Sequence, residues 1–363
     1  MKPHRLLKYC LGLGALLLSL SEPLVTAENA LPPMGWMSWY QAQGGNPTET
    51  LVRTTVTNML AYGWWNAGYR LINIDAGWSA MNRLEDGSIT WNTSRFPNGI
   101  PSLVEWCHSL GFKVGLYTEP NAMTTWGIGS GGHFDQDAQT FADWGIDYIK
   151  FDPREPPGAK EACEAFAQSI KKTKRLIFLH SYLQTDFDQW VPLTLGSFRK
   201  GLDISGPTAE DVWQQWYSNF LGVASYSGYV RPGFYVDLET LQPVLAQAFG
   251  KVEWQRGILS VQAILAAPLI AASMNDPAIC TADGMLQDPD LIAIDQDPAV
   301  IAGRLVVSNS NGGMVWVRPL GHAHSAIRAI CLFNSNTNTA QDLTLTWEEI
   351  GLGTNEVMTA YDC

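Results

Sequence analysis

Eight short apolar runs punctuate the chain: Met34–Tyr40, Tyr69–Asp75, Lys113–Thr118, Asp147–Asp152, Arg175–Ser181, Phe198–Ser205, Gly233–Leu238 and Ala267–Ala272. The stretches between them are long enough for a helix. Three of these, Ala138–Trp144, Ala159–Ile170 and Gln255–Leu265, place apolar residues three and four apart, as one face of a helix requires. Strands alternating with helices in this way predict an α/β fold, a (β/α)8 TIM barrel spanning residues 28–300.

From about Arg304 the texture changes to Val- and Thr-rich runs, VVSNSNGG-MVWVRPL and DLTLTW, split by Asn, Ser and Gly. This predicts a small C-terminal antiparallel β-domain over residues 301–363, a short or truncated module. No low-complexity linker separates it from the barrel, so the two should pack closely. A chain of 363 residues with 46% hydrophobic content suits that division, since a barrel takes about 250 residues.

The N-terminus carries Lys2, Arg5 and Lys8, then the apolar stretch Cys10–Leu20, then Val25-Thr26-Ala27. That order reads as a secretory signal peptide, residues 1–27, and predicts a secreted or periplasmic protein. Its apolar core is too short for a stable bilayer anchor, and no later run is longer, so no membrane anchor is expected. The net charge of −12 falls to about −14 once Lys2, Arg5, Lys8 and Glu22 leave. Beyond the leader the one basic cluster is Lys171-Lys172-Thr173-Lys174-Arg175, which reads as the end of a surface helix. Nucleic acid is therefore excluded as a partner. Cys10 belongs to the leader, and Cys107, Cys163, Cys280, Cys331 and Cys363 are an odd, scattered set that predicts mostly free, buried thiols.

Two acids stand out. Asp152 closes the run Asp147–Asp152 with Lys150 two residues before it, and Asp203 closes Phe198–Ile204 with Arg199 four before it. Acids at strand ends lie on the face where barrel enzymes collect their reacting groups. A pair of them with a nearby Lys and Arg suggests glycoside chemistry. Taken singly, each Asp could equally cap a loop, and Trp39 and Tyr117 could be packing at the barrel mouth. The histidines, His4, His108, His133, His180, His322 and His324, form no HExxH-type spacing, so no metal is implied. His322-Ala323-His324 reads as an exposed turn, and Asn92-Thr93-Ser94 is a glycosylation sequon.

The motifs PPMGWMSWY, YRLINIDAGW, RFPNGI, HSLGFKVGLYT, DAQTFADWGIDYIKFD, ILAAPLIAAS and DLIAIDQDP follow one another in order. Together they resemble the α-galactosidase and α-N-acetylgalactosaminidase family of retaining glycoside hydrolases (family 27), from Leu31 to about Pro298. The resemblance implies that Asp152 is the nucleophile at the end of the fourth strand and Asp203 the acid/base at the end of the sixth. A retaining mechanism asks for carboxyls about 5–5.5 Å apart, one ionised and one holding a proton. It also implies that Asp75, Lys150 and Arg199 bind sugar hydroxyls while Trp39 and Tyr117 wall the sugar's apolar face. Lys150 and Arg199 should favour the ionised form of Asp152. The mechanism needs no cofactor, and the implied partner is a carbohydrate.

The departures from the family bear on the sugar. Family members end the second strand with two acids and a Cys, the acids holding the axial and primary hydroxyls of galactose; here the run reads Asp75-Ala76-Gly77. A lost charge-assisted contact costs about 1.5–3 kcal/mol, one to two powers of ten in binding. Glu119 is a candidate to compensate, and Tyr182, within His180-Ser181-Tyr182-Leu183, is the candidate to fill the space beside the sugar's 2-position. After the nucleophile, Pro153-Arg154-Glu155-Pro156-Pro157 lacks the family Cys, and YVDLETL keeps Asp237 but has Glu239 in place of Asp. The expectation is a secreted retaining hydrolase of terminal α-galactosides. The alternatives are the same mechanism on a β-L-arabinopyranoside, an α-N-acetylgalactosaminide or an α-glucoside, and a non-catalytic carbohydrate-binding protein, which retention of both acids argues against.

Overall fold

A computed structural model describes residues 31–154, 158–183, 188–241, 252–272, 274, 282–323, 325–353 and 359–362. The leader, Glu155–Pro157, His324, Cys280 and Cys363 lie outside these. The strands β1 (Met34–Met37), β2 (Leu71–Ile74), β3 (Lys113–Thr118), β4 (Tyr148–Arg154), β5 (Phe178–Leu183), β6 (Ser197–Arg199), β7 (Tyr235–Asp237) and β8 (Leu269–Ala271) form one sheet in the order β8-β1-β2-β3-β4-β5-β6-β7. Every ladder in it is parallel. Just past β7, Leu241 bridges to Ala271, giving its N–H to Ile270 O at 2.7 Å and accepting from Ala272 N at 3.0 Å. That bridge joins the two ends of the curled sheet.

All eight predicted runs fall on strands. Their near-continuous apolar content is what a parallel strand covered on both faces needs, and β1, β2 and β5 are buried throughout. The helices between them begin where the sequence provides caps. Thr48 accepts the N–H of Leu51 at the start of α1 (Glu49–Ala61), and Thr208 with Asp211 forms a capping box on α2 (Ala209–Ala224). One boundary moved. The sixth strand, expected over Phe198–Ser205, stops at Arg199 because Gly201, at φ +119°, turns the chain where a Cβ would meet the Asn219 side chain.

Beyond the barrel, β9 (Arg304–Ser308), β10 (Gly313–Pro319) and β11 (Arg328–Asn334) form an antiparallel sheet in that order. The expected strand DLTLTW is not one. Leu343 and Leu345 lean on the buried pair Val315 and Val317, while Glu349 takes the Thr346 N–H and hydroxyl and opens a turn. The third strand is Arg328–Asn334 instead, which buries Ala329, Cys331 and Phe333 and exposes Ile330 and Leu332. Because both faces are apolar, the alternation that would have marked it in the sequence is hidden.

This sheet packs on the barrel through Phe333, whose ring lies 5.9 Å from Trp213 and 6.2 Å from Tyr217 of α2. Arg318 of β10 is fully buried and donates to the carbonyls of Ala263 and Asp295. Cys107, Cys163 and Cys331 are free and buried. No helix among the described residues is long and apolar enough to cross a membrane.

Candidate active site

The carboxyl ends of the strands gather the predicted residues into two charged groups. On one side, Lys150 of β4 gives a hydrogen bond to Asp75 Oδ2 at 2.8 Å, with Asp152 Oδ2 3.7 Å from the same Nζ. All three are buried, Asp152 to 3% exposure. Burial opposes the ammonium's charge, but Asp152 and Asp75 outweigh it and hold the Lys150 pKa above its ordinary value. The Tyr117 ring lies 5.5 Å from Lys150 Nζ, and the Tyr117 carbonyl accepts from Trp78 Nε1 at 2.8 Å.

Asp152 is aimed by a bulge. Phe151 and Arg154 of β4 pair with Ser181 and Leu183 of β5, so three steps of one strand face two of the other. The extra residue falls at Asp152–Pro153, where proline has no N–H to give to the ladder. Ser181 Oγ takes up the slack by donating to Phe151 O at 2.9 Å.

On the other side, Arg199 of β6 holds Asp203 Oδ1 at 2.6 Å through Nη2 and Glu239 Oε2 through Nη1. The guanidinium lies over the Tyr182 ring at 4.1 Å, so Tyr182 serves as the plate beneath Arg199. Asp203 sits four residues past β6, its side chain 44% exposed. Its loop is nevertheless pinned: Asn219 donates to Leu202 O at 2.8 Å, Gln215 accepts from Ser205 N at 2.8 Å, and Ile204 is buried. The two sides share one field, since Asp152 adds to Asp203 in raising the Arg199 pKa against the effect of burial.

A further layer lies below. His180 Nδ1 is 2.8 Å from Ser197 Oγ and 3.7 Å from Asp237 Oδ2. Burial, then Lys150 and Arg199, push His180 well below its ordinary pKa, so the ring is neutral. Burial lifts Asp237 to about 6, with Arg199 and Lys150 opposing. Sequence reasoning noted Asp237 and Glu239 but not that Glu239 grips Arg199; the signal was a charged residue in an otherwise apolar strand-end run.

Trp39 is half-buried and meets Trp126 edge to face at 5.4 Å, so the wall on this side is a pair of indoles. Ala76 is 2% exposed, and its N–H goes to Asp75 Oδ1 at 2.7 Å. Gly77, at φ +97°, follows at a point where a Cβ would strike the Gly45 carbonyl. Glu119 is buried and accepts from Asn121 Nδ2 at 3.4 Å. No cluster of three or more His, Cys, Asp or Glu among the described residues could hold a metal ion.

A parallel eight-stranded barrel with charge-paired acids and aromatic rings at its strand ends has the form of a barrel glycosidase. The model of the family described as alpha galactosidase A matches residues 31–185. The chain is 32% identical over 349 residues to an α-galactosidase of Cyamopsis tetragonoloba, covering 93% of this chain and 81% of that one. It is 33% identical over 342 residues to α-galactosidase 2 of Arabidopsis thaliana, covering 91% and 82%. The fold matches α-galactosidase I from Mortierella vinacea with a TM-score of 0.77 at 22% identity, over 89% of this chain and 86% of that one. This chain belongs to the α-galactosidase family, and it is a glycosidase.

Proposed function

We propose that the chain is a secreted retaining glycosidase that removes terminal α-galactosyl residues, with Asp152 as nucleophile and Asp203 as acid/base. The observation that carries this reading is the contrast between the two acids. Asp152 is buried 3.7 Å from the Lys150 ammonium, which favours a carboxylate ready to attack, whereas Asp203 faces solvent, where it can exchange a proton. In the first step an Asp152 oxygen bonds to the anomeric carbon. The bond to the leaving oxygen breaks, its electron pair stays with that oxygen, and the Asp203 proton joins it. In the second step Asp203 takes a proton from water as the water oxygen displaces Asp152. Asp75, Lys150 and Arg199 would hold hydroxyls, Trp39 and Tyr117 the apolar face, and Tyr182 would act by holding Arg199.

The relatives named as α-galactosidases support galactose as the sugar. The buried Ala76 favours a second reading, in which the mechanism is kept and the sugar lacks a hydroxyl that an acid there would hold. Hydrolysis of nitrophenyl α-galactoside, α-N-acetylgalactosaminide, β-L-arabinopyranoside and α-glucoside, with Asp152→Ala as the blank, separates the readings. Turnover of the α-galactoside alone supports the first; faster turnover of another glycoside replaces it. Proton NMR of the first product from the α-galactoside should show the α anomer, and initial release of the β anomer would sink double displacement. Export with removal of residues 1–27 should leave Glu28 as the N-terminus.

A further inference from the structure

Resting on the reading of Asp203 as acid/base, we infer that Glu239 is a positioning residue that sets how readily Asp203 keeps its proton, acting through the guanidinium of Arg199. A general acid must be protonated when the leaving group departs. Arg199 Nη2 at 2.6 Å from Asp203 Oδ1 works against this, because a cation in contact favours the carboxylate. The opposite nitrogen of the same guanidinium is held by Glu239, whose side chain is almost fully buried. The three groups form a line of anion, cation and anion in which Glu239 offsets the pull of Arg199.

Glu239 is built into place. Its backbone sits at φ +90°, a region that residues other than glycine seldom occupy unless their surroundings force it. Asp237 Oδ1 accepts its N–H at 2.8 Å, and Gln262 Nε2 donates to its carbonyl at 3.3 Å. Thr240 gives Oε1 both its N–H and its hydroxyl, leaving Oε2 for Arg199. So many constraints on a strained, buried acid mark a carboxylate aimed at one guanidinium. Among the described residues, the other charged or titratable groups around Arg199 and Asp203 are Asp152 and Lys150 from β4, His180 and Tyr182 from β5, Asp237 from β7 and Tyr40 from beyond β1. Arg199 holds Asp203 and Glu239 through its two terminal nitrogens.

The test is the pH profile of kcat/KM for Glu239→Gln on a glycoside with a poor leaving group. Removing the anion lowers the proton affinity of Asp203, so the alkaline limb should move toward acid by on the order of one pH unit. Above that limb the loss is about tenfold, and a dinitrophenyl glycoside should be nearly indifferent. Glu239→Asp, which draws the charge back from Arg199, should move the limb the same way by less, and it supplies the reading if the Gln variant does not fold. A limb that stays in place in the folded variants, whatever their Tm or kcat, overturns the inference. Asp203→Ala run in parallel keeps the two ideas apart: if it loses poor and good leaving groups equally, the acid/base reading fails. If it loses only the poor ones while the Glu239 limb stays put, the inference alone fails.

Discussion

On the β2–β4 side of the mouth, Asp75, Lys150 and Asp152 are buried and carried on strands or at their ends, whereas on the β6 side Asp203 stands in a loop with its side chain 44% exposed. The first group resembles a fixed electrode, with one ammonium between two carboxylates and little room to reorganise. The second is open to water at Asp203 and anchored behind, through Arg199, Asn219, Gln215 and Ile204. A nucleophile needs its charge fixed and its direction set, and a proton donor needs access to solvent between turnovers. The difference between the two sides is the one that the proposed roles of Asp152 and Asp203 call for.

The sharpest way to break the comparison is Asp152→Ala. Turnover should fall by about 10⁴-fold or more with the far-UV spectrum unchanged, and residual activity near wild type would remove the nucleophile from the buried side. Asp203→Ala should come next. On poor leaving groups the loss is about 10²–10⁴-fold, and on dinitrophenyl glycosides it shrinks to a small factor. A loss that ignores the leaving group would mean that the exposed side does not donate the proton.

The same contrast explains what could be read in the sequence. Asp152 was legible because it ends a run apolar enough to be a buried strand, with Lys150 in register beside it. Asp203 stood out as a second strand-end acid with Arg199 four residues before it, but its setting was misjudged: the apolar Ile204 made the loop look like more strand, and the turn at Gly201 hid behind it. The bulge at Asp152–Pro153 left a trace, a proline inside a strand, whose meaning depends on the partner strand. Glu239 could be seen as an acid out of place, but its grip on Arg199 depends on a backbone at φ +90° that local sequence does not specify. In the small sheet, Arg328–Asn334 was missed because Ile330 and Leu332 make its exposed face as apolar as its buried one.

Lys150→Met sharpens the comparison by testing whether the buried side is a true charge balance. Removing the ammonium leaves Asp75 and Asp152 buried beside each other, which should cost about 3–5 kcal/mol of stability and lower Tm. The matching change on the open side, Asp203→Asn, removes a half-exposed partner of Arg199 and should cost far less. Equal Tm losses would mean that burial does not distinguish the two sides.

The last expected effect, on stability alone, comes from a buried acid placed far from the chemistry. Asp295 and Arg318 meet at the seam between barrel and β-sheet, and both are fully buried. Asp295 Oδ1 has no hydrogen-bond partner among the described residues, although Oδ2 accepts from Gln296 Nε2 at 2.7 Å. Burial pushes this carboxyl up to about 8, against the pull of Gln296 and Arg318. With its unfolded value near 3.8, the folded chain holds a proton there that the unfolded chain has lost. Asp295 therefore contributes stability that is fully present below about pH 4 and is lost as pH rises toward 8. Asp295→Asn should match wild type in Tm at or below about pH 4 and exceed it increasingly toward pH 8. A difference that is flat with pH would mean that Arg318 keeps Asp295 ionised throughout, which would make the seam a paired charge like the Lys150 cluster.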